Sequence, residues 1–188
     1  MKTLVDIIIE KNLNNETHIE FGTDKEHSHR YCTGFYDKEF LKYKEKQIII
    51  TEIGIAKGGS LALWHEYFDD AFILGIDNRE QGAKENTKHL SNVHIIYAQA
   101  YSEEFVLSLP MSDIIIEDGS HHFEDQTRAI QLYLQKLKPG GVFIIEDIAK
   151  MEYCDEFKKY VPDSMTYEVV DVRDISPNFD SILFVVRN

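Results

Sequence analysis

Apolar runs rich in Ile, Val and Phe recur along the chain at Gln47–Ile53, Ala71–Ile76, Val93–Tyr97, Asp113–Glu117 and Gly141–Ile145. Each is near strand length and predicts a buried parallel strand. Between them lie segments of helical length or pattern: Ser60–Tyr67, Gln81–His89, Tyr101–Leu109 and His122–Leu137. In the last of these Phe123, Ile130, Tyr133, Leu134 and Leu137 keep helical spacing. Strand and helix in alternation predict an open, Rossmann-like, doubly wound α/β sheet.

The two ends of the chain read differently. Lys138-Pro139-Gly140-Gly141 stops the long helix and starts a strand; Glu152–Tyr160 looks helical, and Met165–Val172 and Ser181–Val186 read as strands. A turn around Ser176, Pro177 and Asn178 joins these two and predicts an antiparallel edge. Before the first strand a helix is expected near Leu4–Leu13, a polar loop over Asn14–Arg30 and a second helix near Asp37–Glu45. We expect one domain, in which residues 1–46 form a helical cap and active-site loop and residues 47–188 the core.

Composition narrows the function. The 188 residues are 43% hydrophobic and 28% charged, a globular composition without repeats or low-complexity tracts. Twenty Lys and Arg against 33 Asp and Glu give a formal charge of −13, which repels a polyanion and argues against nucleic acid as a partner. No apolar run approaches the ~18 to 20 residues of a membrane span. The short Leu4–Ile9 stretch carries Asp6 and no small-residue cleavage site, so a cytoplasmic protein is expected. Cys32 and Cys154 form no CxxC pair, which fits a reducing compartment.

The first strand runs into Glu52-Ile53-Gly54-Ile55-Ala56-Lys57-Gly58-Gly59-Ser60 and then a helix, so glycines fall where the backbone turns tightly and approaches a ligand. The next strand ends at Asp77, 18 residues beyond Gly59, where a carboxylate can accept hydrogen bonds from both hydroxyls of a ribose. The spacing is not GxGxxG, and Glu52 sets a negative charge beside the turn. A pyrophosphate is disfavoured there, whereas a ligand with an amino group and a sulfonium, such as S-adenosylmethionine, is tolerated. A plain strand-to-helix turn of an α/β protein is the bland alternative.

A second cluster emerges from the same sheet edge. The fourth strand ends at Asp118-Gly119-Ser120-His121-His122 and the fifth at Glu146-Asp147. Three carboxylates there repel one another unless a cation neutralises them, and an all-oxygen set favours magnesium, manganese or calcium over zinc. Such an ion can bind a substrate hydroxyl and lower its pKa, and His121 is spaced to take the proton. Neighbouring side chains on a regular strand point to opposite faces, so Glu146 and Asp147 share one ion only if the strand ends or bends there. The alternative is an Asp-Gly turn with a histidine capping the next helix and solvated acids.

Gly22-Thr23-Asp24-Lys25 with His29 and Tyr31, Glu52-Ile53-Gly54 with Gly58-Gly59-Ser60, Asp118-Gly119-Ser120-His121, and Lys138-Pro139-Gly140-Gly141 with Ile145-Glu146-Asp147 together form a familiar set. Over residues 22 to 148, about two thirds of the chain, it resembles the metal-dependent sugar O-methyltransferases of macrolide pathways, the mycinamicin and macrocin type, within the class I S-adenosylmethionine-dependent methyltransferases. The resemblance implies a seven-stranded sheet with a reversed last strand. It also implies magnesium at Asp118, Glu146 and Asp147, His121 as general base, and the loop bearing Thr23 and Lys25 closing over the cofactor or active site. Glu52, Gly54 and Ser60 would line the methionine part of the cofactor and Asp77 its ribose. Gln99 and Ala100 depart from the acidic residue and glutamine usual beside the adenine, although the Gln99 amide can still hydrogen-bond a base edge. A separate N-terminal auxiliary domain of the macrolide enzymes does not fit a chain of this length, so their acceptor specificity is not carried over.

The expectation is therefore a magnesium- and S-adenosylmethionine-dependent O-methyltransferase of a sugar, nucleotide sugar or other polyol, with a neighbouring copy as a candidate for closing the site. Its rivals are an NAD-dependent oxidoreductase, a metal-dependent hydrolase and a non-catalytic ligand-binding domain of the same fold. His27 and His29 read as surface groups, with His29 near enough in the loop to reach substrate; Trp64 reads as core packing.

Overall fold

The computed structural model describes residues 2–14 and 21–188. Seven strands, β1 (Gln47–Ile53), β2 (Asp70–Asp77), β3 (Val93–Tyr97), β4 (Ser112–Glu117), β5 (Leu137–Ile145), β6 (Thr166–Asp171) and β7 (Ile182–Arg187), form one sheet in the order β3-β2-β1-β4-β5-β7-β6. β7 runs antiparallel to both β5 and β6, and the other pairings are parallel. This is the expected seven-stranded, mostly parallel sheet with a reversed last strand. β7 is inserted between β5 and β6, so β6 forms the edge.

Alternation along the strands assigns each residue to one of two cores. Ile114 and Ile116 of β4, Val142 and Ile144 of β5, and Leu183 and Val185 of β7 pack with α1 (Leu4–Glu10) and α3 (Gly59–Tyr67) on one face. Ile115, Phe143, Ile145, Phe184 and Val186 pack with α6 (Phe123–Tyr133) and α7 (Met151–Phe157) on the other. Burial on both faces explains the nearly continuous apolar runs of the central strands.

Several boundaries differ from the sequence reading for local reasons. α1 stops at Glu10 rather than Leu13 because Asn12 adopts a left-handed φ of 52°. Leu13 N–H then donates to the Ile8 carbonyl and Asn12 N–H to that of Ile9, the paired bonds of a Schellman ending. The second helix begins earlier than Asp37, as a five-residue π-helical turn over Cys32–Tyr36, continues as α2 (Asp37–Phe40), and ends in a 3-10 turn at Tyr43. α4 (Ala83–Thr87) and α5 (Glu103–Ser108) are shorter than expected, and β5 begins at Leu137, with a register shift opposite Ser112 and Ile114 that absorbs the Pro-Gly-Gly segment. Of the polar loop expected over residues 14–30, residues 15–20 lie outside the described residues. Among the described residues no helix is long and apolar enough to cross a membrane.

Strand order reverses between β1 and β4, whose neighbours β2 and β5 lie on opposite sides. Outside the C-terminal ends of these strands a crevice opens, the position at which open α/β sheets take ligands.

Candidate active site

Backbone contacts at two glycines shape this crevice. Gly54, at φ +80° after β1, donates its N–H to the Ile76 carbonyl, and a Cβ on it would lie 1.9 Å from the Asp118 carbonyl oxygen. Gly59, at the start of α3, packs so closely on Gly22 that a Cβ would meet its carbonyl oxygen at 1.7 Å. Only glycine permits either approach, and together they bring the loop at 22–31, the β1 turn and the end of β4 to one place.

The resulting cavity has a volume of about 430 Å³, within the range of ordinary small-molecule sites. Thr23, Gly54, Ser60, Asp77 and Gln99 line it, as do Asp118 and His121. Lys25 and Glu52 do not; both are fully buried behind its wall. At one end the Asp77 carboxylate accepts hydrogen bonds from the backbone N–H groups of Ile55 (3.2 Å) and Arg79 (2.9 Å), which fix its direction. Tyr101 borders the same cavity and donates to Glu117 at 2.7 Å. Burial pushes the Glu117 carboxyl up to about 7, against the pull of Tyr101 and His121.

The other end is acidic. His121 Nε2 lies 3.2 Å from Asp118 Oδ1 and 3.6 Å from Asp147 Oδ2, and ligand atoms of these three residues all fall within 4.8 Å of one another. His121 and Asp147 have left-handed φ values of 58° and 55°, sparsely populated for residues with a Cβ and characteristic of functional sites. The turn at Asp147 answers the strand-geometry condition: β5 ends at Ile145, and the chain bends so that consecutive acids part company.

Asp147 turns toward Asp118. Glu146 turns the other way, with both oxygens 2.7 Å from Lys25 Nζ and a further hydrogen bond accepted from the Tyr36 hydroxyl. Lys25 also reaches Asp118 Oδ2 at 2.7 Å and Glu52 Oε1 at 3.4 Å. Of the three acids expected to share an ion, the structure thus gathers Asp118 and Asp147 with His121 and pairs Glu146 with Lys25. The two carboxylates are the hard donors that suit a divalent cation such as magnesium or manganese, with the His121 imidazole beside them.

Electrostatics follow this geometry. Burial works against the Lys25 ammonium, but Asp118, Glu146 and Glu52 outweigh it and hold its pKa well above the usual lysine value. Burial likewise opposes the Asp118 carboxylate, yet Lys25 and His121 hold its pKa well below the ordinary range. Burial and the neighbouring Asp118 push Asp147 up, His29 and His121 only partly offsetting them. His121 loses hydration, but Asp118 and Asp147 raise it to about 10.

Several residues of the site have partners that the sequence did not assign them. The Tyr31 hydroxyl donates to Asp147 Oδ1 at 2.7 Å, and His29 Nδ1 lies 3.3 Å from the same oxygen while stacking on the Tyr31 ring. His29 is therefore a buried partner of the cluster, where a surface group was expected; His27 is exposed. The His29-x-Tyr31 spacing was the available signal. Tyr36 carried none beyond its apolar company. Trp64 is core, as expected, and its indole N–H also donates to Glu52 at 2.8 Å.

Residues 51–148, just over half of the chain, match the Methyltransf_24 family, described as a methyltransferase domain, and the chain belongs to that family. Demethylmacrocin O-methyltransferase of Streptomyces fradiae is 28% identical over 141 residues, covering 71% of this chain and 36% of the relative. The 8-demethyl-8-alpha-L-rhamnosyl tetracenomycin-C 2'-O-methyltransferase of Streptomyces olivaceus is 28% identical over 141 residues, 69% of this chain and 36% of its own length. The chain thus spans about a third of the length of these relatives. Among solved structures, the MycE methyltransferase of the mycinamycin pathway, in complex with Mg, SAH and mycinamycin VI, superposes with a TM-score of 0.67 at 17% identity. That match covers 100% of this chain and 53% of that one. Aeropyrum pernix fibrillarin with bound S-adenosyl-L-methionine gives 0.61 at 16% identity, covering 77% and 68%. At such identities the likeness is one of fold. The resemblance to sugar O-methyltransferases holds at the level of family and fold.

Proposed function

We propose that this chain is an S-adenosylmethionine-dependent O-methyltransferase acting on a hydroxyl of a sugar-bearing or other polyol small molecule with the help of a hard divalent cation, magnesium in the first instance. The observation that carries this reading is a single cavity with two unlike ends, Asp77 fixed by backbone amides at one and Asp118 with His121 at the other. The O-methyltransferase names of the relatives support the same reading.

Thr23, Gly54, Ser60, Asp77 and Gln99 would line the cofactor, with Asp77 directed at ribose hydroxyls and Lys25 and Glu52 supporting the wall from behind. Asp118 and Asp147 would hold the cation, and residues 1–46 would act as cap and active-site loop of the one domain. When bound, the cofactor supplies a methyl group on a sulfonium and the cation supplies Lewis acidity toward acceptor oxygens. The protein's own share is binding, orientation and proton transfer. His121 would take the acceptor proton at Nε2. In the ion-free cluster Asp118 and Asp147 raise the His121 pKa to about 10, and a cation held by these carboxylates would weaken their pull and favour the free base. Tyr31 and His29 keep Asp147 aimed, so the carboxylate geometry is fixed before substrate enters.

Calorimetric titration with S-adenosylhomocysteine, with and without magnesium and with NAD as control, tests the reading. Binding of the former with NAD silent is the expected result, followed by methyl transfer in a screen of sugars and nucleotide sugars. Binding of NAD, or of neither, overturns it.

A further inference from the structure

Lys25 has no exposed side-chain surface, yet its ammonium meets carboxylates from three strand ends: Glu52 in β1, Asp118 after β4 and Glu146 after β5. The loop that delivers it is tied down on both sides, by Thr23 N–H on the Leu13 carbonyl at 2.7 Å and by Cys32 N–H on the Lys25 carbonyl at 3.2 Å. Burying an unpaired ammonium costs several kcal/mol, and so does crowding buried carboxylates without a counter-charge, so each half of this arrangement requires the other. Lys25 engages both oxygens of Glu146 but only Oδ2 of Asp118. Asp118 Oδ1 is left beside His121, and Asp147 completes that group from the far side.

We propose that Lys25 is a positioning residue, the resident counter-cation of the acidic cluster, which holds Glu146 and one oxygen of Asp118 in place and, by its charge, limits how tightly Asp118 and Asp147 take a divalent cation beside His121. The inference rests on the cation site proposed above. Lys25 does not line the cavity and acts only through the carboxylates. Its positive charge, 2.7 Å from an oxygen of Asp118, repels a dication held by that same carboxylate, so its removal strengthens cation binding. Loss of a merely structural residue would weaken that binding, and the two roles therefore differ in sign.

Manganese is the probe. Free Mn2+ is followed by electron paramagnetic resonance in titrations of the full chain, with S-adenosylhomocysteine binding as the check on folding. Lys25→Met is expected to bind Mn2+ at least about tenfold more tightly than wild type, and Glu146→Gln more weakly. The Lys25→Met/Glu146→Gln double variant should return close to wild type. A folded Lys25→Met that binds Mn2+ equally or less well overturns the proposal, as does a double variant as weak as Glu146→Gln. Should Lys25→Met fail to fold, anomalous diffraction from Mn2+-soaked wild-type crystals decides. Lys25 still bonded to Glu146 and Asp118 beside the ion supports the proposal, and Lys25 expelled with the ion on Glu146 overturns it. If wild type takes no Mn2+ while Lys25→Met does, the cation site of the proposed function fails and the role of Lys25 stands; if neither takes it, both fail.

Discussion

The two ends of the cavity are built by different means. At one end Asp77 is held by amides of Ile55 and Arg79, the latter only two residues away, and Gly54 makes a tight turn beside it. At the acidic end His121 meets Asp118 three residues away, but the other contacts are long-range: Lys25 meets Asp118 and Glu146 across 93 and 121 residues, and Tyr31 meets Asp147 across 116. A site fixed by backbone tolerates loss of one side chain with a proportionate effect. A network of mutually paired buried charges does not, since removing one member leaves others unpaired.

The largest effect is therefore expected at Asp118, which lies in both the His121 contact and the Lys25 contact. Asp118→Ala should abolish Mn2+ binding and reduce methyl transfer by about a thousandfold or more, while S-adenosylhomocysteine affinity measured calorimetrically changes by about threefold or less. Equal loss of both ligands would mean that the two ends are one cooperative unit, and the comparison would collapse. His121→Ala comes next, with kcat expected to fall by about 10² to 10⁴, as for removal of a general base, and Mn2+ binding retained. Full turnover in that variant removes His121 from the proton-transfer role.

The Asp77 end is sharpened by two smaller changes. Gly54→Ala forces a Cβ into the Asp118 carbonyl at a φ of +80° and should destabilise the fold by about 3 kcal/mol or more, read from denaturant unfolding. Asp77→Ala should weaken S-adenosylhomocysteine by about 10- to 100-fold, the loss of charge-assisted hydrogen bonds, with Mn2+ affinity unmoved. A shift in Mn2+ affinity there would again break the separation of the two ends.

How much of this was readable in advance follows the same division. The strands, their order of appearance and the glycine turn have local signatures, and the C-terminal ends of parallel strands bring Glu52, Asp77, Asp118, Glu146 and Asp147 to one edge by topology alone. The sequence could show that Asp118 and the Glu146-Asp147 pair were neighbours. It could not show which acid would face which, because that depends on a left-handed turn at Asp147 and on a lysine arriving from residue 25. Tyr36 joined Glu146 for the same reason: the π-helical turn that aims it has no period an apolar pattern can reveal. Backbone devices are written locally, and long-range charge pairs are decided by packing.

The smallest expected effect lies away from the cavity, where a paired charge can be tested without touching the site. Glu39 in α2 meets Arg187 of β7 at 2.9 Å and Lys42 at 2.8 Å, joining the N-terminal segment to the reversed last strand. Burial opposes the Glu39 carboxylate, but Arg187 and Lys42 outweigh it and hold its pKa below the ordinary value. A carboxylate depressed in this way stabilises the fold above its unfolded pKa of about 4.3, and the contribution is lost as pH falls through the lower folded value. Glu39→Gln should cost about 1 kcal/mol at pH 7, measured by chemical denaturation. The gap from wild type should close as the pH drops below about 4. A gap that persists unchanged in acid would mean that Glu39 stabilises through packing of its stem, and that even at the periphery charge is not what joins the first segment to the sheet.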